Sequence, residues 1–108
     1  MRVIAQAGAY HVADGATYAE HLRVPCLSLG TYSLPAGAHD PQQPHTEDEI
    51  YIVLDGRGRL WTPDEVVDVA RGSVVFVPAG EEHRFVDIAQ DLTVLVVFGP
   101  AEGTATPR

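Results

Sequence analysis

Turn-forming residues recur along this chain about every ten residues, and the segments between them are short and rich in Val, Ile, Leu, Thr, Phe and Tyr. Pro and Gly fall too often for a long helix, and the apolar pattern follows a period of two rather than 3.6 through most of the chain. We therefore predict an all-β sandwich or barrel, with a short helix over 17–22 as the one helical alternative.

The turn sequences indicate how the predicted strands connect. Asp55-Gly56 is predicted to close a hairpin between Ile50–Leu54 and Arg57–Thr62. Ala89-Gln90-Asp91 is predicted to separate two further strands, the second of which is Leu92–Phe98. Two of these strands, Ile50–Leu54 and Leu92–Phe98, are apolar on both faces, so one face must meet a second sheet or a second subunit. A homodimer is the resulting prediction.

A length of 108 residues suits one domain with a single core, expected over about 23–98, and 101–108 is expected to be a flexible tail. The net charge is −8 and all seven basic residues are scattered arginines, which argues against nucleic acid as a partner. No apolar run predicts a membrane span or a signal peptide, so a cytoplasmic protein without a membrane partner is expected. The single cysteine, Cys26, is expected in the core.

Residues of the kinds that bind metal ions fall in two clusters. The first spans His39 to Glu49 and the second contains His83. Gln43 and His45 are two residues apart and would share one face of a strand. Glu49 would lie about 13 Å further along an extended chain, so a turn through 46–48 must bring it back. Two imidazoles and a carboxylate, with Gln43 as a further oxygen donor, are typical of a divalent transition metal site.

Two segments carry a family resemblance. Residues 37–56, GAHDPQQPHTEDEIYIVLDG, are similar to the first cupin motif, and residues 72–87, GSVVFVPAGEEHRFVD, are similar to the second. The matching positions are Gly37, Gln43, His45, Glu49, Gly56, Gly72, Pro78, Gly80 and His83. The chain thus resembles a small single-domain bacterial cupin. The resemblance implies a jelly-roll, or double-stranded β-helix, barrel with one metal ion bound by Gln43, His45, Glu49 and His83.

Two positions depart from the motifs. Asp87 replaces the final Asn of the second motif, and a turn role fits both residues. Gln43 stands where the first motif has its first His, and an amide oxygen is a weaker and harder donor than imidazole. His39 in the adjacent loop could supply the missing imidazole, although an exposed loop histidine is the preferred interpretation. A solvated acidic loop is the alternative for the whole cluster, and the two motifs matching together favour the metal site.

The resemblance also implies a function. The ion would be Fe, Mn, Ni or Zn, with Glu49 as a ligand or as a base displaced from the metal. Tyr51 and Phe85, and His39 if it turns inward, are the predicted pocket residues. The chain is predicted to be a metal-dependent enzyme for a small oxygenated molecule, of dioxygenase, isomerase or polyketide-cyclase type. The alternatives are a non-catalytic binding or sensor barrel for a small molecule and a degraded site without metal.

Overall fold

Six β-strands make up all the regular secondary structure that is described for this chain. The structure is a computed structural model that describes residues 1–105, and over those residues it contains no helix, membrane-spanning or otherwise. The strands are β1 (Thr17–Val24), β2 (Leu27–Leu34), β3 (Asp48–Trp61), β4 (Val66–Ala70), β5 (Val74–Val77) and β6 (Arg84–Gly99). The predicted all-β fold is confirmed. The alternative of a helix over 17–22 is wrong, because that segment lies in β1.

The strands pair in the order β1-β2-β6-β3-β4, and β5 pairs with a different part of β3. All pairs are antiparallel. The first part of β3 pairs with β5 and its last part, Arg57–Trp61, pairs with β4. Because β6 pairs with β3 from Asp48 to Trp61, these two strands run through both halves of the barrel.

Both long strands bend at the same level, where the sequence predicted turns. The register of β3 against β6 shifts between Val53 and Arg59. Irregularities of this kind bend a strand and increase its twist, which lets one sheet curl into a barrel. The predicted hairpin at Asp55-Gly56 is therefore wrong, since β3 continues through it. The break predicted at 89–91 is wrong for the same reason, because those residues lie inside β6.

Gly56 permits a close approach of the two bends. Its φ is +96°, and a Cβ atom there would meet the main-chain oxygen of Asp91 and come within 2.8 Å of the Cα atom of Leu92. Only glycine combines a positive φ with so little space. The residue that matches the last glycine of the first motif thus shapes the barrel.

The Gly56→Ala variant is expected to lose more than the about 1–2 kcal/mol that a positive φ alone costs. Gly72→Ala is the matched control, because Gly72 has φ +91° and no atom within 4 Å of a built Cβ. Urea denaturation of both variants measures the difference. Equal free energies of unfolding for the two variants would contradict the close approach at Gly56.

The barrel interior is filled by alternate side chains of every strand except β1. Burying one such side chain contributes about 1.5–3 kcal/mol relative to leaving it exposed. The buried cluster consists of Tyr32, Leu34, Tyr51, Val53, Leu60, Val69, Val77, Phe85, Ile88, Leu92, Val94, Val96 and Phe98. The prediction that Cys26 is a core residue is wrong, since it is exposed.

An apolar patch covers part of the outer face of β3 and β5. In this patch Ile50 pairs with Phe76, and Ile52 pairs with Val74. Phe76 is 61% exposed and Val74 is 65% exposed. Contiguous exposed apolar side chains mark interaction surfaces. The homodimer stays a prediction, and this patch is the surface that it would bury.

The chain after β6 packs against the barrel as far as Ala105. Glu47 is buried and accepts hydrogen bonds from the backbone N–H groups of Gly103 (2.8 Å) and Ala105 (3.0 Å). Burial alone would raise the pKa of Glu47, but these two donors and the Thr46 hydroxyl outweigh it and lower that pKa. Residues 101–105 of the predicted flexible tail therefore have defined contacts. The remainder, 106–108, lies outside the described residues.

Candidate metal centre

Three candidate ligands meet inside the barrel. One ligand atom from each of His45, Glu49 and His83 lies within 4.8 Å of the other two. His45 precedes β3, Glu49 is the second residue of β3, and His83 immediately precedes β6. The bend at Thr46 and Glu47 returns the chain so that Glu49 faces His45, as the sequence analysis required.

The Glu49 carboxylate is paired with His83 but accepts no hydrogen bond of good geometry within residues 1–105. Its side chain is 1% exposed, and Oε1 lies 2.6 Å from Nε2 of His83. Even so, neither carboxylate oxygen has a hydrogen bond from any residue in 1–105. A buried carboxylate without hydrogen bonds costs several kcal/mol, so a cation at this point would offset a real deficit. Two oxygens and two imidazoles in this state fit the donor set of a divalent transition metal ion.

Backbone contacts fix the orientation of the His83 ring. Its Nδ1 lies 2.7 Å from the carbonyl oxygen of Glu81, and this N–H donates to that oxygen. The other ring nitrogen, Nε2, then faces Glu49, which is the arrangement that holds a metal-binding histidine in one tautomer. Burial lowers the pKa of His83, but the Glu49 carboxylate and the Glu81 carbonyl outweigh it and raise the pKa.

His45 is oriented by a carboxylate from the segment after β6. Its Nδ1 is 3.4 Å from Oε2 of Glu102. Its ring also packs edge-on against Phe98, with the ring centroids 4.7 Å apart. Burial raises the pKa of Glu102, although His45 acts in the opposite direction. Glu102 could not be predicted from the sequence, because nothing in its local sequence relates it to the first motif.

Gln43 and His39 do not join the three candidate ligands. Both are exposed, and both line a separate depression on the surface. The neighbouring Gln42 turns inward instead and lines the cavity that contains His45 and Glu49. Gln43 and His45 would share one face only in a strand, but residues 39–45 have no regular secondary structure, so their side chains need not alternate.

The two aromatic residues predicted for the pocket have different positions. Tyr51 lines the cavity, and its hydroxyl lies 3.0 Å from Nε2 of His83. Phe85 is buried in the core behind it, with ring centroids 4.9 Å apart, and is not part of the cavity wall.

Asp40 organises this side of the cavity. It is buried and accepts hydrogen bonds from the backbone N–H of Phe85 (2.8 Å), from the Gln42 side-chain amide (2.5 Å), from the Gln42 backbone N–H (3.2 Å) and from the Tyr32 hydroxyl. With its amide nitrogen held by Asp40, Gln42 presents Oε1 to the Tyr51 hydroxyl at 2.8 Å. The burial of Asp40 depends on residues far away in the chain, such as Phe85 at the start of β6.

Residues 30–98, which include all three candidate ligands, match the Cupin domain family. This chain is a cupin. The comparison of structures agrees, since the cupin shares its fold with an RmlC-like cupin protein of Desulfovibrio desulfuricans. The TM-score is 0.81 at 22% identity, over 94% of this chain and 98% of the other. The predicted family and the predicted jelly-roll fold are therefore confirmed.

Two further comparisons extend this result. The cupin is 52% identical to an uncharacterized protein of Streptomyces coelicolor, over 82% of this chain and 84% of the other. Its fold is also similar to that of the DMSP lyase DddQ of Ruegeria pomeroyi, with a TM-score of 0.74 at 20% identity. That alignment covers 99% of this chain and 57% of the lyase. At this identity the similarity to the lyase shows the fold alone.

Proposed function

We propose that this cupin binds one divalent transition metal ion through His45, Glu49 and His83 and transforms a small oxygenated organic molecule. The observation that carries the proposal is the buried Glu49 carboxylate, whose two oxygens have no hydrogen bond from residues 1–105. Three protein ligands leave positions open at the ion, as in catalytic rather than structural metal sites. The bound ion would polarise a substrate oxygen as a Lewis acid.

The cavity beside the three ligands suits a small molecule. It has a volume of about 260 Å³ and includes both His45 and Glu49 in its wall. Much of the remaining wall is aromatic or apolar, with the polar groups of Gln42 and Tyr51 on one side. An apolar cavity with a few converging polar groups is the common form of a ligand site.

Tyr51 is suited to donating a hydrogen bond rather than removing a proton. Burial, with the nearby Glu49 charge, raises the pKa of Tyr51 well above its usual value of 10.0. The hydroxyl therefore keeps its proton at neutral pH and can donate to a substrate oxygen in place of Gln42. Glu49 keeps the two roles that the sequence suggested, as a ligand or as the base that accepts a substrate proton.

Turnover by the metal-loaded protein tests this function. The protein is loaded separately with Fe(II), Mn(II), Ni(II) and Zn(II) and is offered catechols, flavonols and diketones, with oxygen uptake and products both followed. Oxygen uptake supports a dioxygenase, and rearranged products without uptake support an isomerase or cyclase. Glu49→Gln is expected to abolish turnover, whereas Glu82→Gln, which changes an exposed acid paired with Arg84, should retain it.

Ligand-induced stabilisation without any turnover would instead favour the non-catalytic binding barrel. Turnover that Glu49→Gln leaves unchanged would contradict the assignment of the site.

A further inference from the structure

The cavity beside the candidate ligands carries acidic and aromatic groups, and within residues 1–105 its wall has no lysine or arginine, His45 being its one basic side chain. Its acidic groups are Glu49 and Glu102, and the chain contains no lysine anywhere. Its aromatic walls are Tyr18, Tyr32, Tyr51 and Phe98. A site built to hold a carboxylate, sulfonate or phosphate normally provides an arginine, a lysine or a row of backbone N–H groups. The wall of this cavity therefore favours a different kind of ligand.

The guanidinium group of Arg23 is engaged by two glutamate residues. Its Nε and Nη2 atoms donate to the Glu20 carboxylate at 3.1 Å and 2.7 Å. Its Nη1 atom donates to the main-chain oxygen of Glu102 at 2.9 Å. The charge of Arg23 is thus matched by Glu20, and its third nitrogen helps to position the backbone of Glu102. Arg23 does not line the cavity.

Glu102 is held at the cavity by the segment after β6. Its backbone N–H donates to the hydroxyl of Ser28 at 2.9 Å, and the next residue, Gly103, is held by Glu47. The Glu102 side chain is 32% exposed, so its carboxylate stands between the cavity and solvent. Water screens the Glu102 charge only in part at this position. The carboxylate therefore repels an anion that enters the cavity and attracts a cation.

The aromatic walls favour the same ligands. The faces of tyrosine and phenylalanine rings carry partial negative charge, which attracts ammonium groups and accepts neutral apolar groups. Tyr18 and Tyr32 meet edge to face, with centroids 6.3 Å apart, and Tyr18 meets Phe98 in the same way at 6.5 Å. These rings and Glu102 line the same cavity as Glu49, and Glu102 and Phe98 both lie against the ring of His45.

We propose that this cavity selects oxygen-chelating molecules whose far end is neutral or cationic and rejects those that carry a carboxylate there. Glu102 is the residue that discriminates. The inference rests on the proposed function, because the chelating end of the ligand needs the ion that His45, Glu49 and His83 would bind. It narrows the substrate class to small neutral or amine-bearing compounds with two adjacent oxygens.

Three catechols that differ only in their side chain test this selection. They are 4-ethylcatechol (neutral), dopamine (an amine) and 3-(3,4-dihydroxyphenyl)propionic acid (a carboxylate). Their affinities for the zinc-loaded full-length protein are measured by calorimetry without oxygen, since zinc does not oxidise catechols. The amine and the neutral compound are expected to bind at least about tenfold more tightly than the carboxylate.

Glu102→Gln is expected to bring the dopamine-to-carboxylate affinity ratio close to one, and Glu82→Gln should leave that ratio unchanged. Equal binding of the three catechols by the parent protein, or preference for the carboxylate, would overturn the inference while leaving the proposed function standing. Equal weakening of all three by Glu102→Gln would also overturn it, since Glu102 would then act only by positioning His45. Binding of none of them by protein that retains its zinc would overturn the inference, because the cavity would then not select chelating molecules of this kind, and the proposed function would still be tested by the flavonols and diketones.

Discussion

Glu49→Gln is expected to weaken the binding of a divalent ion by more than about 100-fold, because losing only an outer-shell partner of a metal ligand already costs about 10–100-fold. The glutamine side chain is neutral, and the two imidazoles cannot supply the negative charge that is lost with Glu49. His83→Ala is expected to have an effect of the same size. Competition with a chromophoric chelator measures both affinities.

In the metal-free protein, Glu49→Gln is expected to leave the stability of the fold unchanged or to raise it. Glu49 is a buried carboxylate without a hydrogen bond among the described residues, so Glu49→Gln removes a desolvated charge. His83 can release its proton when that partner is gone. Thermal unfolding after chelation should therefore show the variant to be at least as stable as the parent. A residue that lowers the stability of the metal-free fold while enabling ligand binding is a functional residue rather than a structural one.

Gln43→Ala and His39→Ala serve as controls for the ligand assignment. Both residues are exposed and lie outside the cavity, so each variant should bind metal with the affinity of the parent. Loss of the ion on changing either residue would contradict the three-ligand site and would favour the fourth ligand that the cupin motif suggested.

Asp40→Ala is expected to produce the largest loss of stability, about 3–5 kcal/mol, because removing this acceptor leaves several donors unsatisfied at about 1–3 kcal/mol for each buried one. Those partners are the Tyr32 hydroxyl, the backbone N–H of Phe85 and the amide and backbone N–H of Gln42. Tyr32→Phe removes one donor and leaves the others, so its cost should be only about 0.5–1.5 kcal/mol. Asp14→Ala, at an exposed aspartate, is the control for loss of charge.

Denaturant unfolding of these three variants gives the comparison. If Asp40→Ala were as stable as Asp14→Ala, the Asp40 network would contribute nothing, and Gln42 would need another explanation for its inward orientation.

The sequence predicted the fold class because strand alternation and turn chemistry are local properties. The prediction of His45, Glu49 and His83 as neighbours rested on the spacing of the two motifs, and the structure brings these three side chains together. The same local signals misled where geometry depended on distant strands. Asp55-Gly56 is compatible with a hairpin and with a bend, and only the pairing of β3 with β6 decides for the bend.

Gln42 shows why the rest of the site could not be predicted. Side chains alternate between two faces only where the ladder hydrogen bonds of a strand fix the backbone, and residues 39–45 are not part of a strand. What turns Gln42 inward is Asp40, which is held by a residue 45 positions later in the chain, Phe85. Glu102 likewise reaches His45 from the segment that follows β6, far away in the chain. Contacts of this kind have no signature in the local sequence.

The central claim is that His45, Glu49 and His83 hold one divalent metal ion. Elemental analysis of the protein purified without chelator, and again after loading and desalting, tests it most directly. We expect about one equivalent of ion per chain in the loaded parent protein and close to none in the Glu49→Gln and His83→Ala variants loaded in the same way. A loaded parent protein that keeps less than a few tenths of an equivalent, or variants that keep as much as the parent, would contradict the claim.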